Sequence, residues 1–234
     1  MITLAELQQI YRPQYFEERT GTLNVCEKQK QDDIQSLREI RLTYTGKAIF
    51  VKPDFLEDES NIYRKQSTPQ LNLRRICDGI ILLEQESKGY LLILELKSGY
   101  NEVCKKAVEQ IVACCQKIRF HLNRFAGFNF TEYEELGIIF SYPPTMEDRL
   151  DAENNSMITD RKLSLTGQAD LNKERIDREI RTNHQVIVNG EDFGIASLHL
   201  SSNLAMQSLC IKHCSVSATV ASIDLDELIG VGKC

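Results

Sequence analysis

The sequence lacks an apolar run of the roughly 18 residues that a membrane-spanning helix requires, so it predicts no membrane segment. Its first residues also lack the basic and apolar blocks of a signal peptide. No two of the eight cysteines have C-x-x-C spacing, and the dense, regular spacing of a disulfide scaffold is missing. These absences predict a cytoplasmic protein with reduced thiols.

An excess of positive charge is also missing. The chain carries 28 Lys and Arg residues against 34 Asp and Glu residues, for a formal net charge of −6. This balance argues against a protein that binds nucleic acid over its whole surface, but it allows a local basic groove or a partner subunit that supplies most of the binding. The Walker phosphate loop, G-x-G-x-x-G and G-x-S-x-G motifs are absent as well.

The composition that is present, 42% apolar and 26% charged residues over 234 positions, is that of a globular protein with a full core. The pattern changes after Pro144, where the chain becomes polar and charged. We therefore predict a core domain over residues 1–144, with N-terminal helices, and a C-terminal elaboration over residues 145–234 that packs on this core.

Hydrophobic periodicity and turn residues predict the elements. In chain order they are helices over 2–11 and 28–42, strands over 48–51, 75–84 and 90–97, a helix over 101–124, a strand over 137–142, a weak helix over 170–182, and β-like runs at 186–188, 195–198 and 215–223. The strands at 75–84 and 90–97 are apolar throughout, which is typical of central strands that are buried on both faces.

Charged residues interrupt these two apolar strands. Asp78 lies on the first, and Glu95 and Lys97 lie on the second. Side chains two residues apart project from the same face of a strand. Charged side chains in such apolar surroundings cost free energy, which indicates that they have a function. Magnesium takes hard oxygen ligands and keeps several waters, so Asp78, Glu95 and the backbone carbonyl of Leu96 would suffice to hold it, with Lys97 orienting a water.

This interpretation imposes a condition on the hairpin. Residues directly opposite each other in an antiparallel pair share a face, so Asp78 faces Glu95 only if the numbers of paired residues add to an odd sum, for example Asp78 with Glu95 and Glu84 with Gly89. A register shifted by one residue would instead place Asp78 opposite Leu96. The sequence therefore predicts the first register, or a bulge near Gly89.

Asp78, then Glu95-Leu96-Lys97, then a helix that carries Gln110 resembles the PD-(D/E)XK nuclease superfamily, which includes many restriction endonucleases. The predicted order over residues 28–142 (helix, three strands, helix, strand) is similar to the core of that superfamily. The resemblance implies an α/β fold with a restriction-endonuclease-like core, αβββαβ, in which helices flank a mixed central sheet, and a C-terminal α+β elaboration.

The resemblance also implies an activity, that of a Mg²⁺- or Mn²⁺-dependent endonuclease that hydrolyses phosphodiester bonds of DNA. Asp78 and Glu95 would bind the metal, Lys97 would assist the nucleophile, and Gln110 would complete the site. Glu39, on the predicted first helix, is a further candidate ligand. The acidic composition suggests a homodimer, or a subunit of a larger restriction, antiviral-defence or DNA-processing complex.

Two alternatives stay open. The chain is also compatible with a scaffold or recognition subunit that keeps the nuclease fold with an idle site, in which Asp78 marks only a strand start. Lys106, Gln110 and Lys117 share one helix face, which would follow a phosphate backbone or simply be solvated. Arg74 and Arg75 are further candidates for nucleic-acid contact.

A second cluster of potential metal ligands occurs near the C-terminus. Cys210 and Cys214 flank His213, and with Cys26 and Cys234 they match the cysteine count of an iron–sulfur or zinc site. Their spacing is poor for either metal, so we expect these residues to be structural.

Overall fold

The computed structural model of the protein describes residues 2–27, 37, 39–63, 67–68, 70–86, 88–100, 106–146, 148 and 168–230. Its strands are β1 (Phe16–Cys26), β2 (Glu39–Val51), β3 (Gly79–Gln85), β4 (Lys88–Lys97), β5 (Tyr133–Ser141), β6 (Gln185–Asn189), β7 (Ser208–Ser215) and β8 (Val220–Asp224). Its α-helices are α1 (Leu4–Ile10), α2 (Pro53–Ser60), α3 (Val108–Leu122), α4 (Gln168–Asn183) and α5 (Leu225–Gly230).

The strands form one eight-stranded mixed sheet in the order β1-β2-β3-β4-β5-β7-β6, with β8 beside β2. Neighbours from β1 to β4 are antiparallel, whereas β4, β5 and β7 run parallel to one another. The parallel step from β4 to β5 requires a crossover, which contains α3. The chain is therefore α/β with a mixed sheet flanked by helices, as predicted, and strands from both sides of residue 144 join the same sheet.

The sheet separates two cores. The α3-side core contains Ile80 and Ile93 of the hairpin together with Ile111 of α3, and the second core contains their strand neighbours Ile81 and Leu92. Because successive strand residues alternate faces, β3 and β4 are buried on both sides. This burial confirms the interpretation of their continuous apolar runs.

The β1–β2 hairpin folds back over the second core. β2 pairs with β3 through Lys47–Val51, whereas its first half pairs with β8. The N–H of Leu37 donates to Oγ of Ser98 at 3.1 Å, which brings the start of β2 to the far end of β4. Between the two halves, Gly46 has a φ of 93°, and a Cβ there would overlap the carbonyl oxygen of Glu84.

Replacing Gly46 with alanine is expected to lower the free energy of unfolding by about 3 kcal/mol, because the left-handed backbone and the overlap both oppose a side chain. Urea denaturation measures the change. Gly127→Ala is the matched control, since nothing lies within 4 Å of a Cβ at Gly127. Equal stabilities for the two variants would contradict the left-handed backbone and the close contact with Glu84 at Gly46.

Several predicted elements need correction. Residues 28–36 and 38 lie outside the described residues, but 39–42 belong to β2, so the predicted helix is wrong there. The three-residue spacing from Leu37 to Ile40 favoured a helix, whereas the alternation of Ile40 with Leu42 belongs to a strand. The run at 195–198 is a 3-10 helix rather than a strand.

Four elements were missed: β1, α2, α5 and, except for its last residue, β7. The strand β1 carries mostly exposed polar residues, so its pattern is weak. Pro53 follows the strand predicted at 48–51 and occupies the first turn of α2, where its missing N–H costs nothing. The helices predicted over 2–11 and 170–182 are confirmed as α1 and α4, and the helix over 101–124 is confirmed in its described part as α3.

Candidate functional site

The two acids of the predicted site lie close together at one end of the β3–β4 hairpin, where the charge of Asp78 raises the pKa of Glu95. The ladder pairs Glu84 with Gly89 and keeps this register to its last pair, Gly79 with Leu94, so the predicted register is confirmed over the strands. Beyond that pair the N–H of Asp78 donates to the carbonyl of Leu94 at 3.0 Å, so the regular pairing stops before Asp78.

Asp78 is held against the β4 backbone. Its side chain is buried, and its Oδ2 accepts the N–H of Leu96 at 2.7 Å. The register would pair Leu96 with Cys77, but the N–H of Cys77 donates instead to Sγ of Cys114 on α3, at 3.0 Å. The N–H and C=O of a strand residue point towards the same neighbouring strand. The carbonyl of Leu96 therefore points towards the segment that contains Asp78, and it does not accept a hydrogen bond from the N–H of Cys77.

Glu95 is a nearly inaccessible carboxylate, with 1% of its surface exposed. One oxygen, Oε1, forms an ion pair with Nζ of Lys97, and the other, Oε2, is buried with no hydrogen-bond partner in the structure. Burial raises the pKa of Glu95 well above its usual value, the charge of Asp78 raises it further, and Lys97 only partly opposes both effects. The site thus places an unsatisfied acid oxygen beside Asp78.

The sequence analysis missed a third acid, Glu27. It follows β1 directly, and its Oε2 accepts the hydroxyl of Ser98 at 3.5 Å. The pKa of Glu27 is raised by burial and by the charge of Asp78, against the lowering effect of Lys97. Because only the folded-back hairpin brings Glu27 to the end of β4, no local pattern would have indicated it.

Glu39 was the predicted third acid, and the structure does not support that choice. It is the first residue of β2, where its neighbours Ile40 and Leu42 point into the second core. By alternation, Glu39 points away from this core. The error follows from the incorrect helix assignment.

Gln110 lies on α3 and touches the site indirectly. Its Nε2 donates to the carbonyl of Ile76 at 2.7 Å, so it binds the backbone just before Asp78. This contact gives Gln110 a role in holding the segment that carries Asp78.

The basic residues that were predicted to contact nucleic acid differ in their exposure to solvent. Arg74 and Lys106 are exposed. Arg75 is partly exposed, and its Nε lies 3.6 Å from Oε2 of Glu109. Lys117 is fully buried at 0% exposure, so the prediction that it contacts nucleic acid from a helix surface is wrong.

A second polar cluster adjoins Lys97 on the same face of the sheet. Ser141 of β5 is the ladder partner of Lys97, and Nε2 of His213 lies 2.8 Å from its hydroxyl oxygen. That hydroxyl oxygen also lies 2.9 Å from the carbonyl oxygen of Tyr142, and when the hydroxyl donates to this carbonyl, His213 donates through Nε2. Nδ1 of His213 is then the acceptor that faces Nδ1 of His184 at 3.4 Å. The sequence offered no local signal for this chain.

The C-terminal cysteines do not form a cation site within the described residues. Cys210 and Cys214 are four residues apart on β7, which separates them by about 13 Å. Cys214 is a free thiol, whereas Cys210 is disulfide-bonded, so the prediction of reduced thiols is wrong for Cys210. Cys234 lies outside the described residues.

The donors at the β3–β4 end suit a hard divalent cation. Across the described ranges, no group of three or more His, Cys, Asp or Glu side chains is arranged to enclose a metal. Magnesium does not need such a group, because one or two carboxylates and several waters satisfy it. The buried Oε2 of Glu95, which has no partner, and the carbonyl of Leu96 are oxygen donors that such a cation would use.

The chain matches no protein-family model, no curated protein and no solved structure. Within the described residues, no helix has both the length and the apolar character needed to cross a membrane.

Proposed function

We propose that the protein is a Mg²⁺- or Mn²⁺-dependent nuclease with a restriction-endonuclease-like core, and that it hydrolyses phosphodiester bonds of DNA. The observation that carries the proposal is the proximity of Asp78 to the buried Glu95, with Lys97 on the same face of β4 as Glu95. The order β2, β3, β4, α3, β5 around a mixed sheet supports the fold assignment.

Each side chain has a task in this proposal. Asp78, Glu95 and the carbonyl of Leu96 would hold the cation, with Glu27 close enough to share its charge or its waters. A bound Mg²⁺ would polarise the phosphate and stabilise its developing charge. Lys97, now paired with Glu95, would orient the attacking water and offset negative charge in the transition state.

The charge distribution favours an assembly. The net charge of −6, the buried Lys117 and the pairing of Arg75 with Glu109 leave little basic surface on the described part of the chain. We therefore propose a homodimer or a subunit of a restriction, antiviral-defence or DNA-processing complex in the cytoplasm. The same shortage of basic surface favours the second candidate, a nuclease-fold scaffold or recognition subunit with an idle site.

Replacing Lys97 with methionine is expected to reduce Mn²⁺-dependent cleavage of plasmid DNA by at least about 1,000-fold, because a charge that stabilises the transition state is lost. Gel electrophoresis of the products measures the rate. Lys88→Met is the matched control, since Lys88 lies on the same strand, is exposed and pairs with Glu134. Its cleavage rate should equal that of the wild type.

The two candidate functions give different outcomes in this assay. An idle scaffold would leave wild-type protein and Lys97→Met equally inactive on single-stranded and double-stranded DNA and RNA, with Mg²⁺ or Mn²⁺. Cleavage that survives Lys97→Met unchanged would contradict the assigned role of Lys97.

A further inference from the structure

The backbone just before Asp78 is bonded to helix α3 instead of to the sheet. If the ladder continued beyond Gly79, Cys77 would pair with Leu96 of β4. Instead β3 begins at Gly79, and the N–H of Cys77 donates to Sγ of Cys114 at 3.0 Å. A buried backbone group must find a partner, and here a helix side chain provides it.

Two further side chains of α3 bind the same segment. Nε2 of Gln110 donates to the carbonyl of Ile76 at 2.7 Å, and Nζ of Lys117 donates to the carbonyl of Arg75 at 2.6 Å. Nζ of Lys117 also lies 3.3 Å from Oγ of Ser60 on α2. Three consecutive residues, 75–77, are therefore bonded to successive turns of one helix.

Lys117 is an unusual residue for this task. A fully buried ammonium loses its hydration, and such a charge persists only with good hydrogen-bond partners. Its contact with the carbonyl of Arg75 is the shortest of the α3 contacts to residues 75–77. The charge-assisted bond therefore anchors one end of a segment whose other end is Asp78.

We propose that Lys117 is a positioning residue of the metal site and acts together with Gln110 and Cys114. By holding residues 75–77 away from β4, it sets the position of Asp78 and leaves the carbonyl of Leu96 directed at the cation. The proposal rests on the function proposed above, because it concerns the same site.

The test compares two buried polar residues of α3. Lys117→Met removes the bond to Arg75. Gln116→Met is the matched control, because Gln116 is equally buried and bonds backbone, but its partners are Leu204 and Met206, away from Asp78. Calorimetric titration with Mn²⁺ measures the dissociation constant, and thermal unfolding with and without Mn²⁺ gives a second readout.

Lys117→Met is expected to raise the Mn²⁺ dissociation constant by about 10-fold or more, as is typical for groups that orient metal ligands. Gln116→Met should lower the melting temperature yet leave Mn²⁺ affinity within about 2-fold of the wild-type value, since its bonds do not reach a metal ligand. The direction of the first effect is informative. Loss of a cation near Asp78 would by charge alone tighten Mn²⁺ binding, so weaker binding identifies the loss of position.

The outcomes separate the two proposals. If wild-type protein binds Mn²⁺ and Lys117→Met binds it equally well or more tightly, the positioning role is wrong and the metal site stands. If wild-type protein does not bind Mn²⁺, the metal site itself is wrong, and the positioning role with it. Should Lys117→Met fail to fold, Gln110→Met, which removes the bond to Ile76 at a less buried position, must show the same weakened binding.

Discussion

Replacing Glu95 with glutamine is expected to abolish Mn²⁺-dependent cleavage and, at the same time, to stabilise the fold. Cleavage should fall by at least about 1,000-fold, because the proposed metal ligand becomes neutral. The raised pKa of Glu95 means that burial and the charge of Asp78 outweigh the attraction of Lys97. Glutamine lacks the charge that burial and Asp78 oppose, so the free energy of unfolding should rise by about 1 kcal/mol.

Urea denaturation at two pH values checks the stability effect. Because the folded-state pKa of Glu95 lies above its unfolded value, the wild type gains stability as the pH falls through the folded pKa, and the advantage of the glutamine variant shrinks. Glu135→Gln is the matched control. Glu135 pairs with the buried Arg119, which would remain without its carboxylate, so this variant should lose stability and keep cleavage.

Acidification is expected to destabilise the protein through two buried histidines. Burial is the largest cause that lowers the pKa of His213 to about 4, followed by the charge of His184. Burial likewise lowers the pKa of His121 to about 4, followed by the charges of Arg124 and Lys117.

Both folded-state pKa values lie below the unfolded value of about 6.5, so the unfolded chain takes up protons first. The stability contributed by each neutral histidine is complete above about pH 6.5 and is lost as the pH falls towards 4, by about 3 kcal/mol per residue. Glu95 and Glu27, with raised pKa values, act in the opposite direction and reduce the net loss.

Urea denaturation between about pH 7.5 and pH 4.5 measures this loss. His213→Asn should show a shallower pH dependence than the wild type, because one of the two titrating groups is gone. His199→Asn, at an exposed histidine, is the control and should keep the wild-type slope. An unchanged slope in His213→Asn would show that His213 is not a buried neutral histidine.

The β3–β4 hairpin was predictable because continuous apolar runs with a polar turn have few alternatives. Its register followed from one requirement, that both acids share a face, and the ladder has that register as far as Gly79 and Leu94. Asp78 itself precedes β3, and the bond from the N–H of Leu96 to its Oδ2 holds it beside Glu95.

The failures share a different cause. Glu39 was assigned from a helical spacing that the tertiary fold overrides, and Lys117 was assigned to an outer helix face because its spacing places it with Lys106 and Gln110. The structure buries Lys117 because the carbonyl of Arg75 and the hydroxyl of Ser60 meet at one point beneath α3. Neither partner is close to Lys117 in sequence, so no local pattern could report them.

By itself, the sequence determined the α/β class, the central hairpin and its register, because periodicity and strand alternation act over a few residues. Only the tertiary structure decided the surroundings of Asp78 and Glu95. The fold-back of the β1–β2 hairpin brings Glu27 to the end of β4, and the packing of α3 determines which backbone groups near Asp78 are bonded. Both depend on contacts between distant segments, and these form only when the two cores are closed on either side of the sheet.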